Sequence, residues 1–162
     1  MVGIGYDIHR LVAHRPLYLG GVKIDFDKGL IGHSDGDVVI HAICDALLGA
    51  ANLGDIGLHF PPNDDHYKDI ASSELLKKVK KFLDDSALSI KNIDVTVIAE
   101  APKILPYVKQ MKKNIASTLE TPDELISIKG KTNEGLGDIG AGEAIAAIAI
   151  CEITGIYVTS EG

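Results

Sequence analysis

The chain has 162 residues, of which 46% are hydrophobic, and its formal net charge at pH 7 is −7. This is the length of one ordinary domain, expected to span 1–162. Aromatic residues make up only 5% and tryptophan is absent, so the core must be aliphatic. The acidic charge argues against nucleic acid as a partner, and no apolar run reaches the length of a membrane span. The lysine-rich segment 77–81 precedes Asp84 and Asp85 and is interpreted as a solvated helix face.

Two cysteines, Cys44 and Cys151, are far apart in the sequence and have apolar neighbours. They form no C-x-x-C pair, so we expect two reduced, buried thiols in a reducing compartment. The sequence enters structured-looking segments at once, without the pattern of a signal peptide. A cytoplasmic location is therefore expected, and a transit peptide encoded upstream is left open.

Hydrophobic periodicity and turn residues predict the elements of secondary structure. In chain order they are a strand at 2–9, a hairpin at 17–24 around Gly20-Gly21, a helix at 38–51, a loop at 55–68, a helix at 71–85, a strand at 93–99, a helix at 106–119 opened by Pro106, a strand at 125–129, a helix at 142–154 and a short strand at Tyr157-Val158. This order favours an α+β fold (a mixed α/β sandwich), with one mainly four-stranded mixed sheet, helices packed on one face and a small hairpin. The last predicted helix is so apolar that we expect another subunit to cover part of it.

Three residues near the N-terminus have the side chains of a metal site. Asp7 and His9 are two apart on a predicted strand and therefore point to the same face, while His41 lies inside the first predicted helix. Two nitrogens and one oxygen that leave a coordination position open are typical of catalytic zinc. The spacing alone is a weak signal, because a lone histidine is more often a hydrogen-bonded core or surface group.

The segment His33-Ser34-Asp35-Gly36-Asp37 comes just before the first predicted helix. Ser34 or Asp35 would suit the N-cap position. Alternatively, the helix N-terminus with adjacent serine and histidine donors forms an anion pocket. The two interpretations are compatible, because a capped helix end beside a metal is where a phosphate would bind.

The glycine-rich segment 135–140 matches the G-x-G-x-x-G pattern. A dinucleotide site is rejected, because too few residues follow for the second half of such a unit. A turn in which backbone segments approach closely is the better interpretation. The preceding residues, Lys131-Thr132-Asn133-Glu134, fit either a polar turn or a binding site at the exit of a strand.

Taken together, these segments resemble the 2-C-methyl-D-erythritol 2,4-cyclodiphosphate synthase family of the non-mevalonate isoprenoid pathway. The matching blocks are G-Y-D-I-H at 5–9, H-S-D-G-D-V-x-x-H at 33–41, D-A-L-L-G-A-A-x-L-G-D-I-G at 45–57, A-x-A-P-K at 99–103 and K-T-x-E-x-L-G at 131–137. They extend in the same order over nearly the whole chain.

The resemblance implies a homotrimer with active sites at subunit interfaces. It implies one zinc ion per subunit on Asp7, His9 and His41, and a magnesium or manganese ion held by Glu134 on the diphosphate of the substrate. The substrate would be 4-diphosphocytidyl-2-C-methyl-D-erythritol 2-phosphate. Its 2-phosphate would attack the β-phosphorus, releasing CMP and forming the 2,4-cyclodiphosphate.

The resemblance also implies the roles of individual residues. His33 and Thr132 would be catalytic, aligning and contacting the phosphates. Asp55 and Gly57 would bind the methylerythritol hydroxyls under the 60–64 loop, and segments 99–105 and 131–134 would form the cytidine pocket, largely from the adjacent subunit. The complete set of expected substrate contacts is Asp7, Ile8, His9, His33, Ser34, Asp55, Ile56, Gly57, Phe60, Asn63, Asp64, Ala99, Pro102, Lys103, Ile104, Leu105, Lys131, Thr132, Asn133 and Glu134.

The chain departs from the family at several positions. Pro62 stands where many members carry an aspartate. Asp138 and Ala141 replace an aromatic residue and an arginine that often line the central trimer cavity, although Glu143 is retained. Binding of an isoprenoid diphosphate in that cavity is therefore not expected here.

Two other functions are considered. A zinc hydrolase would use a metal-bound hydroxide and a general base, for which His33 or Asp35 could serve. A non-catalytic trimeric ligand-binding protein would keep the fold, but it would have no need for both metal sites.

Overall fold

The computed structural model of the chain describes residues 1–61, 63–67 and 70–155, apart from the side chain of His66. The strand predicted at Tyr157-Val158 and the departure at Pro62 lie outside these residues. The α+β class expected from the sequence is confirmed. Cys44 and Cys151 are both buried free thiols. Among the described residues, no helix has both the length and the apolar character that a membrane span requires.

A five-stranded mixed sheet forms the framework, with the strand order β4-β1-β7-β5-β6. Only β5 and β6 run parallel, and their neighbours pair antiparallel. A separate hairpin joins β2 and β3 through Gly20 and Gly21, whose φ angles of 58° and 72° suit the tight turn predicted there. The strands are β1 (Val2–Ala13), β2 (Leu17–Leu19), β3 (Val22–Ile24), β4 (Lys28–Leu30), β5 (Leu88–Ile98), β6 (Ile126–Lys131) and β7 (Ala144–Gly155).

The described helices are α1 (Val38–Ala50), α2 (Ile56–His59), α3 (Ser72–Asp85), α4 (Val108–Leu119) and α5 (Gly137–Gly140). The predicted loop at 55–68 contains the one-turn helix α2. Pro106 lies in a 3-10 turn, Leu105–Tyr107, which leads directly into α4. On α3 the lysines pair with acidic residues one turn away, as in Lys80 with Asp84 and Lys81 with Asp85.

The helix predicted at 142–154 is wrong, because this segment is strand β7. The strand lies between β1 and β5, and Ala144 through Ala147 are buried on both faces of the sheet. A strand that is buried on both faces lacks the alternation of polar and apolar residues by which strands are recognised. Its alanines also favour a helix when the sequence is considered alone. With β7 and the short strand β4, neither of which was predicted, the part of the sheet that the structure describes has five strands rather than the four expected.

Helix α1 lies unusually close to strand β1. A Cβ atom added to Gly3 would be 2.0 Å from the carbonyl oxygen of Ala46, and one added to Gly5 would be 1.9 Å from that of Ala42. Only glycine allows two backbones to approach so closely. This contact sets the distance between the helix-facing side chains of β1 and the residues of α1.

The opposite face of the sheet is apolar and exposed. Ile4, Tyr6 and Ile8 of β1 point away from α1, and Ile4 is 68% exposed. Ile150 of β7 pairs with Ile4 across the sheet and is 45% exposed. The three long helices α1, α3 and α4 pack on the other face, so among the described residues of one chain no layer covers this surface.

Candidate active site

Asp7, His9 and His41 meet on the helix-covered face of the sheet, as their spacing suggested. Asp7 Oδ2 lies 3.0 Å from His9 Nε2 and 2.9 Å from His41 Nδ1. One ligand atom from each residue falls within 4.8 Å of the other two. Strand geometry places Asp7 and His9 on the same side of β1, and the close approach of α1 brings His41 to them.

Hydrogen bonds and charge link Asp7 to the two histidines. Burial acts to raise the pKa of Asp7, but the hydrogen bonds from His41 and His9 outweigh it and hold this pKa at about 2. Burial likewise acts to lower the pKa of His41, yet the hydrogen bond and negative charge of Asp7 leave it raised. Asp7 is therefore an anion that attracts cations to this point, whether protons or a metal ion.

The N-cap of α1 is Asp37, so the prediction of Ser34 or Asp35 was wrong. The Asp37 carboxylate accepts hydrogen bonds from the backbone N–H groups of Val39 and Ile40, and also from those of Gly20 and Gly21 in the hairpin. Four N–H donors from two segments converge on this position, and a sequence motif cannot reveal the contribution of the hairpin. Asp37 thus ties the hairpin to the start of the helix that carries His41.

Asp35 and Ser34 do not cap α1. The side chain of Asp35 faces Ser72 at the start of α3, and that of Ser34 faces His41. Asp35 accepts a hydrogen bond from the backbone N–H of Ser72 at 3.0 Å and also contacts its hydroxyl. Ser34 Oγ lies 3.1 Å from Nε2 of His41. The side chains that follow His33 therefore form a wall behind the three candidate metal ligands.

A cavity of about 230 Å³ opens beside Asp7, His9 and His41. His33 and Ser34 line its polar side. Its apolar side contains the predicted contacts Ile56, Gly57 and Phe60 and three residues that the sequence did not indicate, Tyr67, Ile70 and Leu75. The cavity could hold a small ligand beside the three candidate metal ligands.

Four other predicted substrate contacts, Asp55, Asn63, Asp64 and Ile8, are not among the residues that line this cavity. Asp55 is the N-cap of α2, where its carboxylate accepts a hydrogen bond from the N–H of Leu58 at 2.9 Å. Asn63 and Asp64 follow in the loop after Phe60 and are not among the residues that line the cavity. Ile8 is on the exposed face of the sheet, so its side chain points away from His41.

A second cavity, of about 420 Å³, lies at the end of β5 and β6. It is lined by Ala99, Pro102, Lys103, Ile104, Leu105, Lys131 and Thr132, all of which were expected to contact the cytidine or its diphosphate. The peptide bond between Ala101 and Pro102 is cis. The two cavities have no lining residue in common.

Glu134 lies in the exposed turn after β6, apart from the three candidate zinc ligands. Its Oε1 atom is 2.5 Å from Lys131 Nζ and 3.4 Å from Thr132 Oγ1, and the lysine lowers the pKa of the carboxyl. Asn133, in the same turn, donates to the carbonyl oxygen of Leu136. Within the described residues of one chain, the group that could hold a metal ion contains Asp7, His9 and His41 but not Glu134.

Sequence reasoning missed two polar side chains near the site. Ser72 Oγ lies 2.9 Å from His41 Nε2 and is wholly buried. Asp45, one turn beyond His41 on α1, accepts a hydrogen bond at 2.8 Å from the N–H of Ile56, at the start of α2. No spacing pattern connects Ser72 with His41. Asp45 could have been found, because a carboxylate one helical turn from a metal ligand faces the same side.

Comparison with known proteins agrees with this geometry. The YgbB family model matches residues 1–154. A 2-C-methyl-D-erythritol 2,4-cyclodiphosphate synthase from Clostridium kluyveri is 56% identical over 150 residues, which cover 93% of this chain and 92% of that protein.

Solved structures are similar over almost the whole chain. An IspF structure from Plasmodium falciparum in complex with CDP is 39% identical, with a TM-score of 0.82, and the match covers 94% of this chain and 93% of that one. The bifunctional IspDF of Campylobacter jejuni is 41% identical with a TM-score of 0.90, and this chain spans 41% of its length. The chain therefore belongs to the YgbB family, among whose members are the 2-C-methyl-D-erythritol 2,4-cyclodiphosphate synthases.

Proposed function

We propose that this chain converts 4-diphosphocytidyl-2-C-methyl-D-erythritol 2-phosphate into 2-C-methyl-D-erythritol 2,4-cyclodiphosphate and CMP. The observation that carries the proposal is the meeting of Asp7, His9 and His41 at a cavity whose wall contains Ser34 and His33. A relative with 56% identity over 93% of the chain bears the name of this activity.

The donor atoms fit the proposed metals. Two imidazole nitrogens and a carboxylate oxygen within 4.8 Å of one another match the three protein ligands of a catalytic zinc site. The carboxylate of Glu134 is the kind of oxygen ligand that magnesium and manganese prefer. When bound, the two cations would neutralise and polarise phosphate oxygens.

The protein's own residues mainly position the phosphates. An oxygen of the 2-phosphate forms a bond to the β-phosphorus, the bond from that phosphorus to the bridging oxygen breaks, and CMP leaves. Phosphoryl transfer requires alignment and charge neutralisation rather than a nucleophilic side chain. His33 at the mouth of the cavity and Thr132 near the diphosphate provide this alignment, and Lys103 and Lys131 offset negative charge around the nucleotide.

The remaining contacts follow from the two cavities. Asp55 and Gly57 hold the methylerythritol hydroxyls at the metal-side cavity, with Phe60 and the loop that contains Asn63 and Asp64 covering them. The cavity at the end of β5 and β6 holds the cytidine. Its apolar side chains suit the flat base, and its lysines suit the phosphates.

The active site is completed by assembly into a homotrimer. The metal-side cavity and the nucleotide cavity share no lining residue. As the family resemblance implies, one substrate that occupies both would be held by two neighbouring subunits. The exposed apolar face formed by Ile4, Tyr6, Ile8 and Ile150 supplies the surface for the interface. Glu134 would thereby approach the zinc ligands of a neighbouring chain. Light scattering of the purified protein tests this assembly, and a monomeric enzyme with full activity would contradict it.

Hydrolysis by a metal-bound hydroxide is the second candidate, and the structure weakens one of its two candidate bases. The Asp35 carboxylate is already engaged by the backbone N–H groups of Asp37 and Ser72 and by the Ser72 hydroxyl. Only His33 remains at the cavity wall.

The deciding experiment is incubation of the zinc- and magnesium-loaded protein with the cytidyl substrate, followed by phosphorus NMR. Cyclisation gives CMP and a cyclic diphosphate, whereas an open-chain phosphate would replace this proposal by hydrolysis. The His41→Ala variant is the control, and it is expected to lose both zinc and turnover.

A further inference from the structure

We propose that Ser72 and Asp35 form a positioning relay behind His41 that holds its imidazole ring with Nδ1 directed at the metal position. The inference rests on the proposed function, because it assumes that His41 is a zinc ligand. Neither Ser72 nor Asp35 belongs to the substrate-contacting or metal-ligating residues assigned above. Both are therefore positioning residues in this proposal.

The two ring nitrogens of His41 have different surroundings. Nδ1 lies 2.9 Å from Asp7 Oδ2, on the side of His9. Nε2 faces the opposite way, with Ser72 Oγ at 2.9 Å and Ser34 Oγ at 3.1 Å. His41 is only 7% exposed and Ser72 is fully buried, so these polar atoms depend on protein partners rather than on bulk water.

Asp35 fixes the direction of the hydrogen bonds. An ionised carboxylate can only accept, so the Ser72 hydroxyl donates its proton to Asp35 Oδ1. The lone pairs of Ser72 Oγ then accept the N–H of His41 Nε2. In a neutral imidazole with its proton on Nε2, the lone pair is on Nδ1, which is the atom beside Asp7 and His9. A second partner that sets tautomer and ring orientation in this way is a general feature of metal-bound histidine.

The relay also ties three separate segments to one ring. Asp35 belongs to the loop before α1, Ser72 begins α3, and His41 is on α1. Asp35 Oδ2 accepts the backbone N–H of Ser72 at 3.0 Å, and Asp35 Oδ1 accepts that of Asp37 at 3.1 Å. The serine is thereby held at a fixed distance from the ring, which is the rigidity that a preformed metal site needs.

A different role for Ser72 is simply to begin α3, and the two roles predict different results. A residue that only starts a helix affects stability. A relay affects zinc affinity and the coordination geometry of the bound ion. The neighbouring Ser73, which has no hydrogen bond to His41 among the contacts described, provides a matched control for removal of a serine hydroxyl at the same helix start.

The experiment compares the wild-type protein with Ser72→Ala, Ser72→Thr and Ser73→Ala. The zinc dissociation constant is measured by competition with a chelator, and the visible absorption spectrum is recorded with Co²⁺ in place of zinc. For Ser72→Ala we expect zinc binding about 10- to 100-fold weaker and an altered cobalt spectrum. Ser72→Thr, which keeps the hydroxyl, should restore both, and Ser73→Ala should match the wild type.

Asp35→Asn gives a second route to the same conclusion if Ser72→Ala fails to fold. The amide no longer requires the Ser72 hydroxyl to donate toward it, so zinc binding should again weaken. The relay is overturned if the folded variants bind zinc with the affinity and cobalt spectrum of the wild type. If the wild-type protein itself binds no zinc, the proposed function fails as well, so the two failures are distinguishable.

Discussion

Replacing Gly5 by alanine tests whether the contact between β1 and α1 sets the geometry of the metal site. The added Cβ would lie 1.9 Å from the carbonyl oxygen of Ala42 and 2.8 Å from the N–H nitrogen of Ala46. Both atoms belong to the backbone of α1, so no flexible side chain can move aside. The helix must shift by roughly 1 Å, and overpacking of this kind costs about 2–3 kcal/mol.

This cost should lower the melting temperature by about 4–12 °C in a chain of this size. Ala42 follows His41 on α1, so the same shift separates His41 from Asp7 and His9. A displacement of about 1 Å in a catalytic group can reduce turnover about 100-fold. We therefore expect Gly5→Ala to lose stability, zinc affinity and activity together, as measured by thermal melts, chelator competition and release of CMP.

Gly49→Ala, on the helix α1 that Gly5 contacts, is the matched control. A Cβ at Gly49 would have no neighbour within 4 Å. Alanine there should stabilise the helix by roughly 0.5–1 kcal/mol and leave zinc affinity unchanged. If Gly5→Ala melts and binds zinc like the wild type, the close approach of the two backbones does not position the site.

Three further predictions concern charged groups around the two cavities. Asp45→Ala should raise KM for the substrate with little change in zinc affinity, because the Asp45 carboxylate holds the N–H of Ile56 at the cavity wall. In zinc-free protein, the pairing of protonated His41 with Asp7 contributes stability that is fully present below pH 6.5 and is lost as the pH rises through the raised pKa of His41. Melts between pH 5.5 and 8.5 should therefore show stability falling with rising pH in the wild type, and a flatter profile in Asp7→Asn. Glu134→Ala should raise the magnesium concentration needed for half-maximal activity while zinc stays bound.

Each of these has an outcome that contradicts it. An unchanged KM in Asp45→Ala would mean that α2 is held without the carboxylate. Identical pH profiles for the wild type and Asp7→Asn would show that the pair does not contribute to folding. Loss of zinc from Glu134→Ala would mean that the two metal sites have been assigned to the wrong residues.

The sequence was sufficient for the parts of the protein that depend on local chemistry. The hairpin at Gly20-Gly21 follows from a turn that requires positive φ, and the amphipathic pattern of α3 defines a helix whatever it packs against. Asp7 and His9 share a face because side chains alternate along any strand. His41 was named with them as a candidate ligand, and the structure brings the three side chains together.

Only the tertiary structure decided the features that depend on contacts distant in sequence. The segment that became β7 looked helical, because residues 144–147 are all buried and so lack the alternation by which a strand is recognised. Asp37 became the N-cap because Gly20 and Gly21 also donate to it. Ser72 reached His41 only because α3 begins beside the loop before α1. The residue types of the site can therefore be read from the sequence. The shape of the site depends on how closely the backbones of β1 and α1 approach each other. Gly3 and Gly5 permit this approach, but a glycine has no side chain from which the contact could be predicted.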